Sequence, residues 1–137
     1  MVNEWVKVEL YGANNDGDVR RFTIADATQV SKGTLMTLTD NRTATVAVAS
    51  HIPQVYAGVS SESKDANDGA TSIGCWTNGI FEAIASGAIP VGAPITGGAN
   101  NDVQNVAALL VASGANILGY ALETASDNEV INVRLRL

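Results

Sequence analysis

The chain has 137 residues, the usual length of one domain built around one core. Its formal net charge of −6, with only eight lysine and arginine residues, disfavours nucleic acid and anionic membranes as partners, because both bind clustered positive charge. No apolar run is long enough to span a bilayer, and the first residues lack the pattern of a secretory signal. We expect a single domain over residues 1–137.

The N-terminal half predicts short strands separated by turns. In the first strand the alternation places Val6, Val8 and Leu10 on an inner face, and it places Trp5 and Tyr11 on an outer, polar face. Large outward aromatics are typical anchors of protein interfaces, although a neighbouring loop could also cover them. The further strands predicted in this half are residues 20–24, 34–39, 43–49 and 55–60.

The C-terminal half predicts more strands. Asn78-Gly79 lies between two apolar runs and predicts a tight hairpin, because both central residues of a type I′ turn need positive φ. Residues 106–112 are rich in Ala, Leu and Val, which leaves strand and helix both open. In the last strand Arg134 and Arg136 share the polar face. They could bind a carboxylate-bearing partner or pair with Glu4 or Glu9. The other strands predicted here are residues 71–76, 80–85, 90–96, 117–122 and 129–137.

Many short strands with regular turns predict a mainly β protein: a small β-barrel or β-tulip-like domain of short antiparallel strands with at most one or two short helices. Residues 30–37 resemble residues 89–96, and each segment is followed by an Asn/Asp turn, an Ala/Val run and a second glycine. This spacing indicates two similar units in one pseudo-symmetric barrel, with chance convergence of short strands as the alternative.

Candidate chemistry is sparse, and we expect no enzyme, no cofactor and no metal site. Ser61 and Lys64 match the Ser-x-x-Lys of penicillin-recognising acyl enzymes, but the Lys-Thr-Gly element is absent and the chain is too short for that fold. The single histidine, His51, has no metal-ligating or relay partner near it in sequence. The single cysteine, Cys75, is expected to be a small buried apolar residue in a protein made in a reducing cytoplasm.

Three segments together resemble the capsid cement, or head decoration, proteins of tailed bacteriophages. They are Lys32–Leu35 (KGTL), Tyr56–Val59 (YAGV) and Gly119–Asp127 (GYALETASD). The resemblance extends from about Phe22 to the C-terminus. It implies a small β-barrel or tulip that clusters as homotrimers on the outer capsid surface of the virion. There the protein would bind the major capsid protein at three-fold and quasi-three-fold sites and bridge neighbouring subunits.

For such a protein we expect residues 1–12 to form a strand that contacts the capsid or the next subunit. The expected interface residues are Val2, Trp5, Val8, Tyr11, Arg134 and Arg136. Deletion of residues 1–10 should then abolish capsid binding and leave the barrel folded. Two rivals remain open: a β-barrel module that binds a carbohydrate or host surface, and a small hydrolase that uses Ser61 and Lys64.

Overall fold

The structure, a computed structural model, describes residues 3–10, 18–47, 55–106 and 117–137. Within these ranges the chain forms eleven strands and no α-helix, so the prediction of a mainly β protein is confirmed. None of the described residues belongs to a helix long and apolar enough to cross a membrane. The strands are β1 (Val6–Glu9), β2 (Val19–Thr23), β3 (Leu35–Asp40), β4 (Thr43–Val46), β5 (Tyr56–Ser60), β6 (Ser72–Trp76), β7 (Asn78–Ile84), β8 (Pro94–Gly97), β9 (Val103–Asn105), β10 (Gly119–Ala121) and β11 (Val130–Arg136).

Strands β2 to β6 form a closed barrel in the order β2-β4-β3-β5-β6. All neighbours are antiparallel except β2 and β4, which run parallel and pair only at Thr23 and Thr43. Along Val19–Phe22, β2 therefore has no strand partner on that side among the described residues. The barrel interior is filled by small and branched side chains, namely Ile24, Val30, Met36, Ala44, Ala57, Ile73 and Cys75.

The other six strands form an antiparallel sheet in the order β1-β7-β11-β10-β8-β9. Its side chains alternate between two faces, as the pleat of a strand requires. On β7, Phe81 and Ala83 are buried, whereas Ile80, Glu82 and Ile84 point to the other face. The sheet therefore packs one face against the protein core and leaves the other face open among the described residues.

Strand β11 follows the predicted alternation. Ile131, Val133 and Leu135 are buried, and Arg134 lies on the opposite face. Leu137, expected on the core face, is 47% exposed instead, because it lies beyond the last pair of the β7–β11 ladder.

The predicted internal repeat is present in the strand order. In the barrel, the β3–β4 hairpin is followed by β5 beside β3 and by β6 beside β5 and β2. In the sheet, the β8–β9 hairpin is followed by β10 beside β8 and by β11 beside β10 and β7. Equivalent isolated bridges, Val30 with Lys64 and Ile89 with Ala125, mark the same position in each unit.

The two units do not merge into the expected single pseudo-symmetric barrel, because the first unit closes on itself. Their closures are nevertheless alike: Thr23 pairs in parallel with Thr43 in the first unit, and Ala85 forms an isolated parallel bridge with Val103 in the second. The second unit differs in that β1 adds a strand beside β7 and forms one edge of the described sheet.

The larger hydrophobic cluster combines side chains from the barrel and the sheet. The centroid of the Phe81 ring lies 6.1 Å from that of Trp5 and 5.6 Å from that of Trp76. Both pairs are tilted, which is a geometry that aromatic pairs prefer. The Tyr56 hydroxyl lies 3.1 Å from the Thr96 hydroxyl and accepts a hydrogen bond from the Gly97 amide at 3.0 Å. These contacts fix the barrel against the sheet.

The hairpin predicted at Asn78-Gly79 is wrong. Both residues lie inside β7, and the chain passes from the barrel to the sheet at Thr77. The apolar runs on either side therefore belong to different sheets. Gly79 has a φ of 141°, and a Cβ there would lie 2.9 Å from the Glu9 carbonyl oxygen. Glycine is required at this position because β1 passes close to it. The Asn-Gly pair, which resembles a turn in the sequence, is therefore explained by a contact between distant segments.

Candidate functional site

Trp5 lies in the core, so its predicted outward orientation is wrong. Its side chain is only 3% exposed, and its indole N–H donates to the Asn101 carbonyl at 2.9 Å. The alternative that a loop covers it is correct, since Asn101 belongs to the β8–β9 turn. Val6 and Val8, which were expected to face inward, are 54% and 52% exposed. Burial of one large indole outweighs burial of two valines on an edge strand.

The inner face of β1 carries Lys7 instead of valine. Lys7 is opposite Phe81 in the strand register, and its ammonium lies 5.8 Å from the centre of the Trp76 ring. The register then shifts between Lys7 and Glu9, so that Val8 lies in an irregular step of the edge strand. Val8 and Glu9 are both exposed, although strict alternation would place them on opposite faces. The inverted orientation of Trp5 and Val6 begins before this bulge.

The exposed part of β1 lies on the same side of the sheet as the polar face of β11. Val6 is opposite Glu82, and Glu82 is opposite Asn132. Residues directly opposite one another in a sheet lie on the same face. We call this surface the outer sheet face. Its described members are Val6, Glu9, Asn78, Ile80, Glu82, Ile84, Tyr120, Val130, Asn132, Arg134 and Arg136, with exposed Val8 beside Glu9 in the bulge.

The outer sheet face carries several exposed apolar side chains around the carboxylate of Glu82. Val6, Val8 and Val130 are each more than half exposed, and Ile80 and Ile84 lie partly exposed on either side of Glu82. Exposed apolar side chains grouped with polar ones are typical of a protein interaction site. Val6, Val130 and the two isoleucines were not among the interface residues predicted from the sequence. Val130 is an even number of residues from Arg134 along β11, so alternation alone would have predicted it on the same face as the arginines. The same two-residue period along β7 would have predicted Ile80 and Ile84 on one face.

Of the six expected interface residues, Val8, Arg134 and Arg136 lie on the outer sheet face, and Trp5 does not. Val2 and Tyr11 lie outside the described residues. An interface role for the three residues on this face stays a prediction.

The residues opposite the two arginines are uncharged. Arg134 is opposite Ile80 on β7 and Tyr120 on β10, and Arg136 is opposite Asn78. The register leaves both expected roles open, since Arg134 and Glu9 are each opposite Ile80 and so lie in one cross-strand row. Binding of a carboxylate-bearing partner by these arginines stays a prediction.

Ser61 and Lys64 do not form the pair that a hydrolase would need. The Ser61 hydroxyl donates to the Gly74 carbonyl at 3.0 Å. The Lys64 side chain is buried, and its ammonium donates to the Asp26 carbonyl at 2.6 Å and to the Asp68 carboxylate at 3.0 Å. A serine nucleophile must instead be hydrogen-bonded to its base. The Ser-x-x-Lys spacing here serves a structural lysine that holds the neighbouring loops together.

The polar loop after Lys64 offers no described cation site. Hydrogen bonds from the Ala70 amide and the Lys64 ammonium lower the pKa of the Asp68 carboxyl, and the Asp65 amide also donates to it. Protein donors thus occupy the oxygens that a calcium ion would use. Among the residues that the structure describes, no three His, Cys, Asp or Glu side chains are grouped as metal ligands.

The described surface lacks the several well-exposed aromatic rings of a carbohydrate-binding module, since only Phe22 and Tyr120 are partly exposed there. Trp5 and Trp76 are 3% and 5% exposed, and Tyr56 is 6% exposed. Their rings are therefore committed to the core and cannot stack on a sugar. This burial disfavours the carbohydrate-binding alternative.

Cys75 is fully buried in the barrel, as expected. Burial, with a smaller contribution from the Glu62 carboxylate, raises the pKa of its thiol from 9.0 to about 12. The folded protein therefore keeps the thiol protonated at pH values where the unfolded chain loses the proton. This contribution to stability is complete below pH 9.0 and is lost as the pH rises towards about 12.

We expect the free energy of unfolding to fall by up to about 1.4 kcal/mol per pH unit between these two pKa values because of Cys75. Urea unfolding across this pH range measures the slope. The Cys75→Ala variant removes the titrating group and should show a flatter dependence, while Lys and Tyr residues contribute equally to both proteins. Equal slopes for the two proteins would contradict the assignment.

Comparison with known proteins agrees with this architecture. A family model described as phage cement protein matches residues 14–137. Among solved structures, the head fiber gp8.5 N base of bacteriophage phi29 has a similar fold, with a TM-score of 0.54 and 16% sequence identity over 86% of this chain and 92% of that chain. No curated protein sequence matches the chain. The family match covers nearly the whole sequence, and the chain therefore belongs to the phage cement protein family.

Proposed function

We propose that this protein decorates a phage head. In this proposal it binds the outer capsid surface and bridges neighbouring major capsid subunits, as a homotrimer at three-fold and quasi-three-fold sites. Family membership is the observation that carries the proposal, because cement proteins are structural components of the capsid. The protein would be made in the host cytoplasm and would act on the virion.

The outer sheet face is our proposed contact surface. It combines three valines that are more than half exposed with the two arginines of β11. Apolar side chains supply burial on contact, and an arginine can recognise a carboxylate through two parallel hydrogen bonds. β1 also lies at the edge of the sheet among the described residues, so a strand of a neighbour could be added to its outer side. Binding of the capsid through this surface would require no chemical reaction.

Repetition over the capsid would turn weak contacts into stable attachment. A trimer that holds several capsid subunits at once makes each further contact intramolecular, which raises the overall affinity without new contacts. The net charge of −6 would keep coated particles apart. Rigid β architecture with a shared core suits a clamp of this kind, because it transmits load without rearrangement.

The proposal is tested by mixing the purified protein with expanded and unexpanded shells of its own phage and measuring the protein that co-sediments. We expect saturable binding to expanded shells, with a stoichiometry of three copies per three-fold position. Absence of binding to both kinds of shell would contradict the proposal.

The contact surface is tested with charge substitutions. Val8→Lys and Val130→Lys should each weaken shell binding by about tenfold or more, because each buries a charge in an apolar contact. Val91→Lys is the matched control, since Val91 is 61% exposed and lies outside the sheet, and it should change binding by less than about twofold. Equal effects of all three substitutions would exclude the outer sheet face. These substitutions are cleaner than deletion of residues 1–10, which would also remove Trp5 from the core.

A further inference from the structure

The barrel has a second surface feature, a groove of about 630 Å³ along the open side of β2. Its volume is within the range of binding pockets. One wall is Val19–Phe22 of β2, and Leu38 and Tyr56 line the opposite side. The groove exists because β2 pairs with β4 only at Thr23, so the position beside the rest of β2 holds no described strand. It is separate from the outer sheet face.

Backbone groups of β2 point into the groove beside Val19–Phe22, where no described strand lies. Successive residues of a strand direct their N–H and C=O groups to alternate sides. The Thr23 amide donates to the Arg42 carbonyl at 2.6 Å, and the Arg21 carbonyl accepts from the Arg42 guanidinium at 3.2 Å, so odd-numbered residues of β2 face away from β6. Val19 N–H, Val19 C=O and Arg21 N–H point the same way, and no described residue hydrogen-bonds to them. Among the described residues they form a short unpaired strand edge.

The groove is basic in an acidic protein. Three of the eight lysine and arginine residues, Arg20, Arg21 and Arg42, line it, and none of its described lining residues is Asp or Glu. Arg21 pairs with Glu62 at 3.3 Å. Arg20 is exposed and forms no ion pair with a described residue. Among the described residues the groove therefore has a local excess of positive charge.

Arg20 is also directed towards the mouth of the barrel. It is opposite Cys75, and Phe22 is opposite Ile73, so Arg20 shares the inward face of β2 with Phe22. Cys75 and Ile73 are fully buried in the barrel interior. A cation on the inward face, beside the partly exposed apolar ring of Phe22, creates a site with one charged and one apolar position.

We propose that this groove binds an extended acidic segment of a partner protein, which pairs with the unpaired edge of β2. Backbone hydrogen bonds to Val19 and Arg21 would supply affinity independent of sequence, as in other strand additions. A carboxylate would bind Arg20, and an apolar side chain two residues away would contact Phe22. Because residues two apart in a strand share a face, the segment needs an acidic residue followed, two positions later, by a small apolar residue.

The test uses the free protein and a short peptide in which valine follows aspartate by two residues, so it does not depend on capsid binding. We expect saturable binding by fluorescence anisotropy, shifts of the Val19 and Arg21 amide resonances by NMR, and weaker binding as salt rises. Arg20→Gln should lower the affinity by about tenfold or more. Lys32→Gln removes the same charge from an exposed position outside the groove and should change the affinity by less than about twofold.

Several outcomes would overturn the proposal. Absence of binding would do so, as would equal binding of the same peptide with lysine in place of aspartate, because recognition would then not depend on charge. Amide shifts confined to residues outside β2 would place the peptide elsewhere. Tighter binding of a thymidine oligonucleotide than of the acidic peptide would assign the groove to phosphate. Unchanged affinity of Arg20→Gln would show that the inward arginine only protects the strand edge from aggregation.

Discussion

Replacement of Gly119 with alanine is expected to prevent stable folding. Gly119 lies on β10, between Ile95 of β8 and Leu135 of β11. A Cβ at this position would overlap the backbone carbonyl oxygen of Arg134. Backbone atoms cannot rotate away as a side chain can, so β10 would have to separate from β11. We expect a loss of about 4 kcal/mol or more, which is comparable to the whole stability of many domains.

The measurement is the yield of soluble protein together with the free energy of unfolding in urea. Gly87→Ala is the control, because Gly87 has a φ of 81° and open space around its Cβ position. Alanine at Gly87 therefore adds backbone strain without a collision and should cost about 1–2 kcal/mol. If Gly119→Ala is no more destabilising than Gly87→Ala, β10 and β11 do not approach as closely as the structure shows.

The same contact explains the glycines in the segments that resemble cement proteins. A Cβ at Gly33 would overlap the Trp5 carbonyl oxygen, and a Cβ at Gly58 would overlap that of Trp76. Gly58 and Gly119 occupy equivalent positions in the two repeated units, each next to the following strand of its unit. Gly33, Gly58 and Gly119 are thus required where two backbones pass close to each other. The glycines in the segments that resemble cement proteins are therefore explained by packing.

The sequence predicted those parts of the fold that depend on short-range alternation. The core face of β11 at Ile131, Val133 and Leu135 follows from a period of two residues, and the repeat follows from similar spacing in both halves. The burial of Cys75 follows from its neighbourhood and from the absence of a disulfide partner. Each of these features is determined within a segment of a few residues.

The features that were missed depend on contacts between distant segments. Trp5 is buried because the β8–β9 turn, nearly one hundred residues later, covers it. Gly79 is not a turn residue because β1 lies against it. The short β9 strand was not predicted, since Val103–Asn105 is too brief to show a period. The groove beside β2 follows from the barrel order, and no local pattern encodes that order. Residues 107–112, where strand and helix were left open, lie outside the described residues.

Asn101→Ala is expected to release the N-terminal strand from the core. The Asn101 side chain is buried, and its oxygen accepts from the Leu35 amide at 2.7 Å. Its amide group donates to the Asn3 and Gly33 carbonyls, each at 3.0 Å, and its own carbonyl accepts from the Trp5 indole. One residue thus joins the N-terminal segment, the turn before β3 and the β8–β9 turn.

Alanine at Asn101 would leave the buried Leu35 amide without its acceptor, which costs about 1–3 kcal/mol. It would also place alanine at a φ of 61°, which asparagine tolerates better. We expect a total loss of about 3 kcal/mol in urea unfolding. Asn100→Ala, an exposed change in the same turn, should cost less than about 0.5 kcal/mol. Similar losses for the two variants would contradict the assigned role.

Hydrogen exchange separates a local effect from a global one. If Asn101 anchors the N-terminal segment through Trp5, the amides of β1 should exchange faster in Asn101→Ala under conditions where β7 and β11 remain protected. Because β1 carries Val6 and Val8 of the outer sheet face, the same variant should also bind shells more weakly, although Asn101 does not belong to that face. Uniform acceleration across all strands would mean that Asn101 stabilises the whole fold and does not specifically position β1.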